Sequence, residues 1–287
     1  MPDAARHIWL CADDYGIAPG VNRAIRELIA GGGLNATSVM VLSPNFNADE
    51  AAALDALNAA TPRAALGLHV TLTGPFAPMS DGFAPLRDGR FPALADMLKL
   101  AIAHRLRPDR LVVEIATQLR SFQDAFGRPP DFVDGHQHVH LFPQVRDVFL
   151  RTVAEAAPEA WVRQCGRARS TLRLSDRKSL VLDLLSVRFR NTARRFGLVT
   201  NPAFAGAYEF TATADFAATF PRFLAGLPDG GLIMCHPGFV DAELERLDPL
   251  TRLREAEFAY LNSDAFPKAL AAHNAALARP DENRPAA

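Results

Sequence analysis

Apolar and polar positions along the chain fall into two alternating kinds of segment. Short apolar runs recur at residues 7–12, 37–42, 65–72, 132–134 and 231–235, and another begins at Trp161-Val162. Runs this short, bounded by Gly, Pro or Asp, predict strands buried on both faces. Longer stretches lie between them, with apolar side chains three and four positions apart, as one face of a helix requires. These are residues 21–30, 48–60, 108–126, 144–156, 215–227, 251–261 and 265–276. Gly31-Gly32-Gly33 and Gly127 stand where two of these helices should stop, and Pro129-Pro130 reinforces the second stop.

Strands alternating with helices predict an α/β protein with a parallel sheet, open or closed into a (β/α) barrel. The pattern shows no internal repeat and runs as a single domain over residues 1–277, with a helical excursion at about residues 163–200. Residues 278–287 are polar and Pro-containing, and are expected to be a disordered tail.

Composition narrows the class. The chain has 287 residues, 49% apolar and 22% charged, with a net charge of −1, an ordinary globular profile with no overall bias toward nucleic acid. No window approaches the roughly 18 consecutive apolar residues of a membrane span, and the N-terminus lacks the apolar core of a signal peptide. Three well-separated cysteines, Cys11, Cys165 and Cys235, form neither a CxxC pair nor a disulfide framework. A cytoplasmic location is the expectation.

In parallel α/β folds chemistry gathers at the carboxyl ends of the strands. Here the first strand ends in Asp13-Asp14, the third carries His69, the fourth runs into Asp134-Gly135-His136-Gln137-His138-Val139-His140, and the late strand ends at His236. Five of the eight histidines lie in this set. A lone histidine at a strand end is ordinarily structural, and paired aspartates before a glycine are ordinarily a turn. Four coincident strand ends are harder to reconcile with that reading. Imidazole nitrogens with a carboxylate suit a divalent ion, and three protein ligands leave room for water and substrate. Such an ion polarises a carbonyl and acidifies water. A second carboxylate can take the water proton, and a histidine can protonate a leaving nitrogen.

In these blocks the sequence resembles the YdjC-like carbohydrate deacetylases, which include chitooligosaccharide and hopanoid-associated deacetylases. The resemblance rests on Ala12-Asp13-Asp14-Tyr15-Gly16, Gly67-Leu68-His69-Val70-Thr71-Leu72-Thr73, Asp134 through Pro143, and His236-Pro237-Gly238, and spans about residues 8–261. It implies a (β/α) barrel, irregular or seven-stranded, related to polysaccharide deacetylases, holding one divalent metal. By position, Asp14, His69 and His136 would be the ligands, Asp13 the general base and His236 the acid. Asp13 and Asp14 are interchangeable in these roles on sequence alone. His138 would share a face with His136 if the strand continues, and is then either a substrate or supporting residue or the true ligand. Asp134 would orient a ligating histidine. Tyr15, where the family usually has Phe, and His140 join the supporting or substrate-binding set. Arg254 and Glu257 read as a structural ion pair. Histidine ligands favour Zn²⁺, whereas parts of the family are associated with Mg²⁺.

The expected partner is an N-acetylated sugar, free or lipid-linked. Residues 163–195 hold ten basic residues against Asp176 and Asp183, around an apolar stretch at 180–187. Such a segment either packs on the barrel with solvated arginines or lies on an anionic membrane. The competing functions are another metal hydrolase, a phosphoesterase or cyclic amidohydrolase, and a non-catalytic sugar- or lipid-binding protein. Retention of both Asp13 and Asp14 argues against the last, since binding alone needs no base beside a metal.

Overall fold

The computed structural model describes residues 4–168, 177–208 and 214–281. Strand β1 (Arg6–Tyr15) leads to helix α1 (Pro19–Gly31), β2 (Ala36–Val39), α2 (Ala48–Asp55), β3 (Ala65–Val70), α3 (Leu94–Ile102) and α4 (Pro108–Phe126). Then come β4 (Phe132–Gly135), α5 (Val145–Ala156), β5 (Trp161–Val162), α6 (Arg177–Arg195), β6 (Phe204–Ala205) and α7 (Phe216–Leu224). The chain ends with β7 (Leu232–Cys235), α8 (Ala242–Leu247), α9 (Arg252–Leu261), α10 (Ala265–Ala272) and β8 (Ala275–Leu277). No helix among the described residues is long and apolar enough to cross a membrane.

Seven strands form one parallel sheet in the order β5-β4-β3-β2-β1-β7-β6, and β8 pairs with the start of β1. The sheet curls strongly. Trp9 on β1 and Trp161 on β5 are four strands apart, yet their ring centroids lie 5.9 Å from each other, with Phe132 stacked on Trp161 at 4.4 Å. A flat sheet would hold the two tryptophans about 19 Å apart at roughly 4.8 Å per strand. The two edges meet through backbone: Val162 N–H donates to Val199 O at 2.9 Å, and Phe204 N–H donates to Gly166 O at 2.9 Å. The result is an irregular seven-stranded barrel with helices outside; the alternation of segments predicts the parallel sheet, and the resemblance implies the irregular seven-stranded barrel.

The helices follow local chemistry. Pro19 and Pro108 open α1 and α4, and Gly32 and Gly127 take left-handed backbone just beyond their ends. Asn47, Asp215 and Asp241 cap α2, α7 and α8 by accepting a backbone N–H three residues on.

Elements α3, β6 and α8 are additional to those the apolar pattern predicts, and two expectations are corrected. The helix expected through residue 276 stops at Ala272. Asn274 turns left-handed, and Ala275–Leu277 pairs in register with Arg6–Ile8, because the amino end of β1 offers an unpaired edge. The tail expected from residue 278 does not include Ala278, which is buried and whose N–H donates to Ile8 O at 2.8 Å. Residues 282–287, and Arg169, Arg173 and Asp176 of the basic segment, lie outside the described residues.

Candidate active site

The carboxyl ends of β1, β2, β3, β4, β5 and β7 converge on one buried polar cluster. At β1 the ladder with β2 slips between Ala12 and Tyr15, and Asp14 adopts φ +70°. This bulge breaks the strict alternation of a strand, so both Asp13 and Asp14 serve the same cluster. Asp tolerates left-handed backbone better than most residues.

β3 and β4 run in register with His69 opposite Asp134. Neighbouring partners share a face, and His69 Nδ1 lies 2.5 Å from Asp134 Oδ1. That orients His69 Nε2 toward Asp14 Oδ1, at 3.4 Å. His136 Nδ1 reaches the same Asp14 oxygen at 3.0 Å. Donor atoms of Asp14, His69 and His136 all lie within 4.8 Å of one another and are buried. The other Asp14 oxygen, Oδ2, accepts from Arg254 Nη2 at 2.7 Å, leaving Oδ1 for the cluster. Two imidazoles and one carboxylate oxygen, one imidazole backed by a second carboxylate, form a donor set that fits a divalent ion.

Strand β4 ends at Gly135, so the alternating histidines do not share a strand face. The chain turns into a tight helical segment, His136–Leu141, in which Gln137 and His138 take left-handed backbone at φ 53° and 58°. His138 is thereby carried away from the ligand cluster. Its Nδ1 lies 3.4 Å from Cys165 Sγ, and its ring meets Phe204 edge-on. Burial, then the charge of Arg163, pushes the His138 imidazole down to about 3, so it is neutral. His140 points into the core, with Nε2 2.9 Å from Arg163 O and its ring against Phe149 and Phe189. Tyr15 turns its hydroxyl to Glu50 and Arg26 on the helices, not to the cluster.

Asp13 sits one residue from the ligand set and is bound by Arg163 from β5's end. Nη1 donates to Oδ2 at 2.7 Å and Nη2 to Oδ1 at 2.6 Å. Burial alone would push this carboxyl up; the Arg163 guanidinium overrides it and holds Asp13 well below the usual carboxylate range. Ser38 Oγ, on β2, links Asp13 Oδ1 at 3.3 Å with His69 Nδ1 at 3.0 Å. Burial also lowers the His69 imidazole, but Asp134 and Asp13 outweigh it and raise it to about 10.

Cys11, Asp13 and Asp134 make a second convergent group of metal-ligand type. A cation is already built into it. Arg163 Nη2 lies 3.0 Å from Cys11 Sγ, 2.6 Å from Asp13 Oδ1 and 2.5 Å from Asp134 Oδ2. Arg163, expected in the basic surface segment, is fully buried here. Its signal was present in the sequence: an arginine immediately after the Trp161-Val162 strand, at the same topological position as the other site residues.

β7 lies beside β1 with Cys235 opposite Ala12, so His236 follows next to Asp13, close enough to bear on its charge. The His236 backbone N–H donates to Glu257 Oε2 at 2.5 Å, and Tyr208 donates to Glu257 Oε1 at 2.6 Å. The expected Arg254–Glu257 pair is therefore replaced. Arg254 serves Asp14 and Asp248, whereas Glu257 anchors the turn that carries His236. Arg254, Glu257, Ser38 and Arg163 are the site residues that spacing alone did not assign. Asp13, Asp14 and His69 are almost inaccessible, while His138 and His236 are partly exposed.

Comparison with known proteins follows this geometry. The model of the YdjC-like protein family matches residues 7–272. A chitooligosaccharide deacetylase of Salmonella paratyphi B is 30% identical over 234 residues, 80% of this chain and 81% of its own. The chitooligosaccharide deacetylase of Salmonella schwarzengrund is 28% identical over the same length, 80% of this chain and 81% of its own. A crystal structure from Enterococcus faecalis, of a protein named for cellobiose-phosphate cleavage, superposes with a TM-score of 0.72 at 20% identity. It covers 97% of this chain and 98% of that one, and it shows the shared fold.

Proposed function

The chain belongs to the YdjC-like protein family, and from that premise we propose that it is a metal-dependent hydrolase. It removes the acetyl group of an N-acetylated amino sugar, releasing acetate. The relatives named chitooligosaccharide deacetylase support the substrate class. The observation that carries the reading is the convergence of Asp14, His69 and His136, with a second buried carboxylate, Asp13, held by Arg163 alongside.

Asp14 Oδ1, His69 Nε2 and His136 Nδ1 would hold the metal. When bound, a divalent ion there supplies a Lewis acid for the amide carbonyl and acidifies water. The remaining steps belong to the protein. Asp134 fixes the His69 ring so that Nε2 faces the centre. Asp13 takes the proton of the attacking water as its oxygen bonds to the acetyl carbon. His236 gives a proton to the sugar nitrogen as the carbon–nitrogen bond breaks. Arg163 favours the ionised form of Asp13, at some cost in base strength. The partly exposed His138, beside the cluster, is assigned a role in contacting the sugar.

A phosphoesterase with two metals is the competing reading. The Arg163 guanidinium fills the only second group of ligand type found among the described residues, which favours a single metal. Acetate release from a panel of N-acetyl amino sugars and short chitooligosaccharides, with and without chelator, tests the proposal. Chelation should abolish release and a divalent ion should restore it. Chelator-insensitive turnover, or phosphate ester cleavage in place of acetate release, would overturn it.

A further inference from the structure

Helix α6 presents two unlike faces. Its inner face is bolted to the chain that leaves β5 for the active site. Ser186 Oγ accepts from Cys165 N–H at 3.1 Å, and Arg190 donates to Gln164 Oε1 at 2.8 Å. Asp183 pairs with Arg167 at 2.8 Å, and Phe189 is buried edge-on to His140 at 5.3 Å. The outer face is apolar where a solvated helix would be polar. Val181, Leu184 and Val187, three residues apart, are 53%, 64% and 45% exposed. Phe196, just past the helix, is exposed as well. Of the nine large apolar side chains exposed among the described residues, these are four.

Cations flank the stripe. Arg188 and Arg195 lie seven and fourteen positions after Val181, two and four helical turns on, and so return to its face. Together with Arg194 they are exposed and form no ion pair among the described residues. Arg177 and Lys178 add two positive charges in sequence at the other end of the helix. The one acid of the helix, Asp183, is already paired with Arg167. Besides Arg190, five of the 31 lysines and arginines of a chain of net charge −1 thus lie on the one helix that carries this exposed apolar strip.

The patch is one convex helix with three outward apolar residues. A stable protein interface takes about 20–30 residues a side. A bilayer needs only shallow apolar side chains with cations beside them at headgroup level. We propose that the outer face of α6 docks on the surface of an anionic lipid bilayer. The helix lies one layer from the site: Cys165, held by Ser186, touches His138, and Arg163 stands two residues before it. Two arginines drop out of the docking set. Arg163 is buried against Asp13, and Arg190 is engaged with Gln164.

Docking needs no substrate, so its test is independent of the deacetylase reading. The full chain is floated with vesicles of phosphatidylcholine alone, or of phosphatidylcholine with phosphatidylglycerol, at low and raised salt. Binding is expected to the anionic vesicles only, and to weaken with salt. Leu184→Asp should abolish it. Combined Arg188→Gln, Arg194→Gln and Arg195→Gln should weaken it by roughly a hundred-fold, about five-fold per arginine. The same number of charges removed elsewhere, at Arg120, Arg151 and Arg252, should leave it unchanged. All three variants alter exposed side chains, and circular dichroism melting verifies their folding. Absence of binding at low salt, equal binding to neutral vesicles, or equal loss in the control variant overturns the proposal. So does a dimer in sedimentation that Leu184→Asp converts to monomer, since the stripe would then be covered by a second copy.

Discussion

Two adjacent aspartates acquire different environments from one bulge. Asp14 shares Oδ1 with two histidines and gives Oδ2 to Arg254, whereas both oxygens of Asp13 face Arg163. Asp13→Asn should therefore keep bound metal while lowering kcat by about 10²- to 10⁴-fold, the usual worth of a general base. Asp14→Asn should lose metal affinity, measured by titration and elemental analysis. The reverse pattern would exchange their roles. Arg163→Ala removes the charge that overrides burial at Asp13. The Asp13 carboxyl should then rise, and an acid limb absent from the wild-type profile of kcat/KM should move into the measurable range. Stability should fall by about 3–5 kcal/mol, because two buried carboxylates lose their counter-charge. An unchanged pH profile would show that Arg163 does not set the state of Asp13.

Register is what the strands contribute. The β3–β4 ladder sets Gly67 opposite Phe132 two steps before it sets His69 opposite Asp134. A Cβ at Gly67 would stand 2.4 Å from the Phe132 ring, which is itself stacked on Trp161 and cannot retreat. Gly67→Ala should cost about 1–3 kcal/mol as overpacking, read as a lower urea midpoint with unchanged slope. It should also weaken metal binding, because the ladder that aligns His69 is pried apart. A variant with wild-type stability would mean that the ring does move. The same scale explains the histidine cluster. The HxHxH spacing reads as a strand face, but Gly135 ends β4, and two left-handed residues send His138 toward Cys165 and His140 into the core.

For the molecule as a whole, protons compete for the donor atoms that would hold the metal. The His69 imidazole is raised to about 10, so its charged form contributes stability that is fully present below its unfolded value near 6.5. That contribution is lost as pH rises through about 10. Metal requires the neutral ring and must displace the proton. Metal affinity should accordingly increase with pH, by up to about ten-fold per unit below about 10. At a hundred-fold excess over Kd, bound metal adds about 2.7 kcal/mol, or about 4–5 °C in Tm for a chain of this length. Melting curves with and without metal at pH 6, 7 and 8 check both statements. A Tm gain that shrinks as pH rises would contradict the proton competition.

The sequence by itself determined the alternation of strands and helices, the parallel sheet and the strand ends at which Asp13, Asp14, His69, His136 and His236 stand. Those follow from local apolar periodicity and from residue type next to a Gly or Pro, which are short-range properties of the chain. Only the tertiary structure decided that Arg163 belongs to the site and not to the surface, that Arg254 serves Asp14, and that Glu257 anchors His236. Each joins elements far apart in sequence: residues 13 and 163 meet because the sheet curls until β5 faces β1. Tertiary structure also separated His136 from His138 and drew residues 275–277 into β8, where backbone conformation and an open sheet edge overrode the local pattern. Spacing along the chain carries no information about such closures, since they depend on the curvature of the whole sheet.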